Sequence, residues 1–265
     1  MNTEQIQNYY DREAQNEWER FDRHPTEFAV TQRAMRDTLP PAPARILDIG
    51  GGPGRYAIWL AQQGHAVTLL DLSGNHLALA ARKGSEAGIT FEALMQGNAL
   101  DLSAFPDERF DAVLLMGPLY HLLDAHDRLR AIQEARRVLK TGGCLFAAFI
   151  CCFSVFRAAA LEFPMEPVES PEIYEQILRD GTYAGNYGFT AAHFSHPDEI
   201  QPLMESCGLK TLEIIGVEGV VAENEAGIKG LNGAAWECWV EWNYRLGQDA
   251  ALRGASDHIL FIGQK

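Results

Sequence analysis

Acids and glycines carry the first chemistry legible in this 265-residue chain. Asp48 sits near the end of a short apolar run, and Gly50, Gly51, Gly52 and Gly54 follow it. Glycine permits positive φ and lets a ligand lie against the main chain with no Cβ in the way. Asp71 ends a second apolar run, where an acid can accept hydrogen bonds from both hydroxyls of a ribose. Together they suit a ligand with an adenosine-like half and a second half resting on glycine. Farther along, Tyr120 and His121 form the most chemically promising polar pair. A histidine titrates near neutrality, so His121 is a candidate to deprotonate an acceptor; the structural alternative is a hydrogen bond to a loop carbonyl.

Nicotinamide dinucleotides and S-adenosylmethionine both fit such a turn. Gly52, Gly54 and Ala57 match the looser G-x-G-x-x-G/A dinucleotide pattern. Against that reading, Asp48 faces the place where a pyrophosphate would bring negative charge. A sulfonium cofactor carries an ammonium group and a positive sulfur, which tolerate a nearby acid. Asp48, Gly50, Gly52 and Gly54 spell D-x-G-x-G-x-G, which resembles the first motif of the class I S-adenosylmethionine-dependent methyltransferases.

The resemblance extends over the central half of the chain. Asp71, with Leu72 beside it, looks like the family's ribose-binding acid, and Asn98 and Ala99 fall where an acidic and a small residue flank adenine. Residues 110–119 resemble the fourth-strand motif, and residues 139–143 the turn before the fifth strand. Asn98 departs from the usual acid, although its amide oxygen can still accept from the adenine amino group. The resemblance implies a doubly wound α/β fold with a mostly parallel seven-stranded, Rossmann-like sheet and helical insertions over its carboxyl edge. It also implies S-adenosylmethionine as cofactor and in-line methyl transfer, for which the protein mainly aligns the acceptor and excludes water. The main chain at Met116 and Gly117 would approach the methionine end, and Arg55 either contacts the methionine carboxylate or faces solvent. His121 is the first choice of base, followed by Tyr120, Tyr9, Tyr10 and His193.

These residues need elements to position them. Residues 45–73 read as strand, glycine turn, helix and strand, the start of an open α/β nucleotide fold. Before them, residues 3–23 form an amphipathic pattern with Ile6, Tyr10, Ala14, Trp18 and Phe21 on one stripe. In the resembling family a leading helix often lies over the cofactor, which would bring Tyr9, Tyr10 or Trp18 to the pocket; the alternative is a stripe that is simply core. Helices are expected at residues 75–83, 125–139, 197–207 and 232–246, and strands at 89–95, 111–116, 143–150, 209–217 and 258–263. Residues 151–195 break the alternation with aromatics, prolines and the segment GTYAGNYGF, and read as an irregular specificity loop or lid. In the 232–246 helix, Trp236, Trp239, Val240 and Leu246 make a stripe that is either core or a substrate box.

The division expected is one domain, with residues 1–38 as a helical lid, 44–150 as the cofactor core, and 151–195 and 218–256 as caps over the substrate. A net charge of −14 argues against nucleic acid and anionic membranes as partners. The first residues lack the pattern of a secretory signal, so a cytoplasmic protein with a small-molecule acceptor is expected. Cys144, Cys151, Cys152, Cys207 and Cys238 lack zinc-site spacing; no metal is expected, and all five read as reduced core residues, with one of Cys151 and Cys152 able to face the site. Two other function classes fit some of these residues: a nicotinamide-dependent oxidoreductase, and a non-catalytic binder of the cofactor or its demethylated product.

Overall fold

The central strands are mostly apolar with nearly every residue buried, a pattern that demands cover on both faces of their sheet. The computed structural model describes residues 3–185 and 190–265. In it β1 (Arg45–Ile49), β2 (Ala66–Asp71), β3 (Ala93–Gln96), β4 (Phe110–Leu115) and β5 (Leu139–Cys151) run parallel in the order β3-β2-β1-β4-β5. Two short strands follow, β6 (Thr182–Tyr183) and β7 (Ala192–Ser195), and then β8 (Lys210–Gly216) and β9 (His258–Gln264). Antiparallel β9 lies between β5 and β8 and gives the seven expected strands, and β7 and β6, paired beyond β5, extend the sheet to nine.

Helices α1 (Thr3–Arg23) and α2 (Pro25–Thr38) precede the sheet, while α3 (Arg55–Gln62), α4 (Gly74–Glu86) and α5 (Ala125–Val138) connect its strands. Residues of β1 alternate between the faces: Ile46 packs with Leu60 of α3 and Met35 of α2, and Leu47 packs with Ile132 and Ala135 of α5. By the same alternation Asp48 lies on the Ile46 face.

The sequence reading and the structure part where tertiary contacts override the local pattern. β3 begins later than expected because Ile89 and Phe91 fit against Gly84 of α4, where a Cβ would meet their side chains at 3.0 and 2.8 Å. Segment 151–195 is not an irregular loop. It holds α6 (Ser154–Glu162), α7 (Glu166–Glu169) and α8 (Pro171–Asp180), with Pro167 and Pro171 in first helical turns and Gly181 capping α8 at φ 73°. Part of the GTYAGNYGF segment, residues 186–189, lies outside the described residues. Ile150 pairs with both Phe194 and His258, so β7 occupies the edge of β5 that β4 leaves beyond Ala147.

α9 (Pro197–Ser206) starts at His196, whose Nδ1 accepts from Asp198 N, and α10 (Gly233–Gly247) packs against α2. The buried face of α10 is Val240, Asn243, Tyr244 and Gly247 rather than the tryptophan stripe: Trp236 is partly packed, and Trp239 and Trp242 are 40% and 54% exposed. Cys238, expected in the core, is exposed on the same helix, while the other four cysteines are buried. Among the described residues no helix is long and apolar enough to cross a membrane.

Phe146 is fully buried in the central sheet, whereas Trp242 is half-exposed on α10. Phe146→Ala is expected to cost about 3–5 kcal/mol in urea unfolding, and Trp242→Ser to change stability by about 0.5 kcal/mol or less. Similar losses for the two would contradict this assignment of the core.

Candidate functional site

Winding reverses between β1 and β4, and in such sheets the crevice outside those carboxyl ends has room for a ligand. A cleft opens there, walled by the turns after β1, β2, β3 and β4 and bounded by α1. Asp48, Gly50 and Gly52 line its β1 side, Asp71 and Leu72 its β2 side, Asn98 and Ala99 the turn after β3, and Met116 and Gly117 the end of β4. Tyr120 and His121 stand on the 3-10 turn Pro118–His121, Tyr10 reaches in from α1, and Arg55 begins α3. These expected site residues thus share one cleft. Gly54 does not line it; a Cβ there would lie 3.1 Å from that of Ala80, so this glycine serves the packing of α3 on α4.

Asp48 is the electrostatic centre of the floor. It is fully buried, and neither carboxylate oxygen has a hydrogen-bond partner among the described residues. Gly51 lies directly over it: a Cβ at that position would meet Asp48 Oδ2 at 2.4 Å and Leu69 Cδ1 at 2.3 Å. Burial, reinforced by the charge of Asp71, raises the Asp48 pKa to about 7. Gly52, at φ 58°, turns its N–H toward Asp71 Oδ2 at 2.8 Å. A cation in this cleft relieves the repulsion between the two acids; a pyrophosphate adds to it.

α1 is fastened over the cleft at several points. Asp11 bonds Ser73 Oγ, and Asn75 Nδ2 donates to the Asp11 carbonyl at 2.8 Å. Tyr10 Oη lies 2.5 Å from His121 Nε2. Burial lowers the His121 pKa to about 4, so the imidazole is neutral at pH 7. Tyr120 Oη donates to the Met116 carbonyl at 3.3 Å, and burial raises its pKa. Arg55 donates to the Trp18 carbonyl at 3.2 Å and to Asp22 at 3.0 Å, which makes it a clasp between α3 and α1.

Arg20 and Glu17 also line the cleft, although the sequence reading did not single them out. Their signal is positional, since both are charged residues close to the apolar stripe of α1 that carries Tyr10 and Phe21. Glu27 takes the Arg20 guanidinium on both oxygens, at 2.5 and 3.1 Å. Behind it, His258 Nδ1 lies 2.6 Å from Glu218, which also accepts from Ser256 Oγ and the main-chain N–H groups of Asp257 and His258. Glu27, Glu218 and His258 have donor types that suit a metal, but Arg20 and these N–H groups engage their oxygens. Burial opposes charge on His258, yet Glu27 and Glu218 outweigh it and raise its pKa to about 9. Burial likewise opposes charge on Glu218, but His258 and the donors around it bring its pKa down to about 2.

Other candidates fall away from this wall. His193 is buried in β7 against Gly181, with a pKa lowered to about 4 by burial and then by Arg128, and does not line the cleft. Tyr9 packs edge-on against Tyr10, and Trp18 stacks with Arg55. The lining residues come from α1 and the sheet edge; the segments 151–195 and 218–256 contribute none of those described.

A family model described as a methyltransferase domain matches residues 46–143. The ubiquinone biosynthesis O-methyltransferase of Xanthomonas axonopodis pv. citri is 30% identical over 179 residues, 68% of this chain and 68% of that one. A methyltransferase of Aspergillus luteorubrus is 36% identical over 108 residues, a match that spans 38% of each chain. Among solved structures, an S-adenosylmethionine-dependent methyltransferase from Thermotoga maritima is similar with a TM-score of 0.60 at 19% identity, over 98% of this chain and 99% of that one.

The ion network behind Arg20 has a defined pH signature. His258 has a folded pKa above its ordinary 6.5, so its contribution to stability is complete below 6.5 and is lost as pH rises through about 9. Glu218 is depressed, so its contribution holds above 4.5 and is lost as pH falls through about 2. Glu218→Gln strands a buried cation and is expected to cost about 3 kcal/mol or more near neutrality. Urea unfolding across the alkaline range should show a smaller decline for that variant than for wild type; parallel curves would refute the pairing.

Proposed function

This chain belongs to the class I S-adenosylmethionine-dependent methyltransferases, and from that premise we propose that it moves the sulfonium methyl group to a small-molecule acceptor held beneath α1. The observation that carries the reading is Asp48, a buried carboxylate with no hydrogen-bond partner among the described residues, under a glycine turn at the switch point of the sheet. That environment suits a ligand bearing an ammonium and a positive sulfur and disfavours a dinucleotide.

The same residues fit the cofactor in turn. Asp48 supplies the negative field for the cationic end, and Gly50 and Gly52 allow close approach. Asp71 and Leu72 take the ribose side, Asn98 and Ala99 the adenine, and the main chain at Met116 and Gly117 the methionine portion. Arg55, already held by Asp22 and the Trp18 carbonyl, acts chiefly as a clasp on α1 and only then on a carboxylate. When bound, the cofactor supplies an activated methyl group open to in-line displacement. Tyr10, Tyr120 and His121 are left to face the acceptor. With its low pKa His121 is a weak base, so its work is to orient Tyr10 and an acceptor hydroxyl or amine and to take up a proton only as transfer proceeds.

In this reading residues 1–38 act as the lid and 44–150 as the cofactor core, while 151–195 and 218–256, expected as caps, stand outside the cleft wall. The net charge of −14 speaks against nucleic acid and anionic membranes as partners, and the acceptor proposed is a freely diffusing small molecule of the cytoplasm.

Calorimetric titration with S-adenosylhomocysteine and with NAD tests the reading. The first is expected to bind and the second not, and Asp71→Ala should weaken the first by about ten- to a hundredfold, as for hydrogen bonds to a charged group. Tighter binding of NAD would overturn the reading.

A further inference from the structure

The corner of the cleft around Asp71 holds an imidazole to which the proposed methyl transfer assigns no role, and the role inferred for it rests on the adenosyl ligand of that proposal. His76 lies in the first turn of α4, is 3% exposed and lines the cleft. Its Nδ1 is 3.2 Å from Asp71 Oδ1. An ionised carboxylate only accepts, so Nδ1 carries the hydrogen, and in the neutral tautomer that this bond selects Nε2 has a lone pair. Nε2 is buried and has no hydrogen-bond partner among the described residues. The Tyr10 ring packs against the imidazole from α1, at 5.4 Å between centroids.

Counting lone pairs on Asp71 shows where this acceptor is needed. Each carboxylate oxygen has about two acceptor sites. Oδ1 already receives Ser73 N–H at 2.8 Å and His76 Nδ1–H at 3.2 Å, which fills it. Oδ2 receives Gly52 N–H at 2.8 Å and keeps one site. A ribose diol brings two hydroxyl donors, so Asp71 can take one of them well. The other meets a saturated oxygen and requires a different acceptor.

We propose that His76 Nε2 accepts the second ribose hydroxyl, so that this chain reads the diol with an acid and an imidazole rather than with the two oxygens of one carboxylate. The Asp71 bond fixes the tautomer that makes Nε2 an acceptor, and Tyr10 keeps bulk water from competing for it. His76 is thus a specificity residue for the adenosyl half of the ligand.

The test is calorimetric titration of wild type, His76→Leu and His76→Gln with S-adenosylhomocysteine and its two monodeoxy forms, each lacking one ribose hydroxyl. Wild type should bind both deoxy forms more weakly, by about two- to tenfold for the hydroxyl that meets the neutral imidazole. His76→Leu should lose that penalty for one deoxy form and keep it for the other, and His76→Gln, whose amide oxygen accepts, should restore it. A His76→Leu protein that penalises both forms as wild type does would overturn the proposal. So would one that weakens every ligand by the same factor. In the unmutated protein, the Nε2 resonance of isotope-labelled histidine should move with S-adenosylhomocysteine and not with the form lacking the partner hydroxyl; an unmoved resonance refutes the contact even where a variant fails to fold. Absence of S-adenosylhomocysteine binding to wild type would instead overturn the methyltransferase function on which the proposal rests.

Discussion

A carboxylate buried without a hydrogen bond is a cost, and the cleft is arranged around one. Asp48 lies under Gly51 with Asp71 nearby, and its pKa rises from an ordinary 3.8 to about 7. The shift makes the ionised carboxylate harder to keep in the fold than in water. A cation bound over the glycine turn lowers the same pKa, and by linkage the ionised carboxylate strengthens the cation's binding. The close approach at Gly51, the positive φ of Gly52 and the reversal of winding at β1 and β4 all bring a ligand to that charge.

The second constraint is the helix that bounds the cleft. α1 has its apolar stripe toward the body of the protein, yet the groups that hold it are polar: Asp11 on Ser73, Tyr10 on His121, Trp18 and Asp22 on Arg55, and Arg20 on Glu27. Polar contacts release more readily than a packed apolar face, which suits an element that must admit a ligand. The buried pair of His258 and Glu218 behind Glu27 braces the Arg20 end, while the Tyr10 end meets the turn after β4 through His121. Tyr10 touches both His76 and His121, so one side chain links the α4 side of the cleft to the turn after β4.

Local signals made much of this legible. The mostly apolar runs of β1, β2 and β4, the glycine cluster and the acid ending β2 are short-range features, and they led directly to the cleft. The rest depended on contacts distant in sequence. Nothing near Glu218 announces that it meets His258, and nothing near Arg20 announces Glu27 as its partner. In α10 the expected stripe shares Val240 with the buried face but runs out to the exposed Trp239, because the buried position opposite Val217 and Glu218 is filled by a polar residue, Asn243, whose Nδ2 donates to both carbonyls. In segment 151–195 the aromatics and prolines hid short helices whose caps, Pro171 and Gly181, are themselves clear start and stop signals.

The most direct test concerns Asp48 alone. A folded pKa above the unfolded value means that stability is lost as pH rises from 3.8 through about 7, so the ionised acid opposes folding above that range. Asp48→Asn preserves the shape and removes the charge. Its thermal midpoint without ligand and its dissociation constant for S-adenosylmethionine should be measured together on the alkaline side of neutrality. A variant that melts higher than wild type but binds about tenfold or more weakly is the expected result, a tenfold change being about 1.4 kcal/mol. A variant that binds as tightly as wild type, or melts lower, would contradict the role given to this carboxylate.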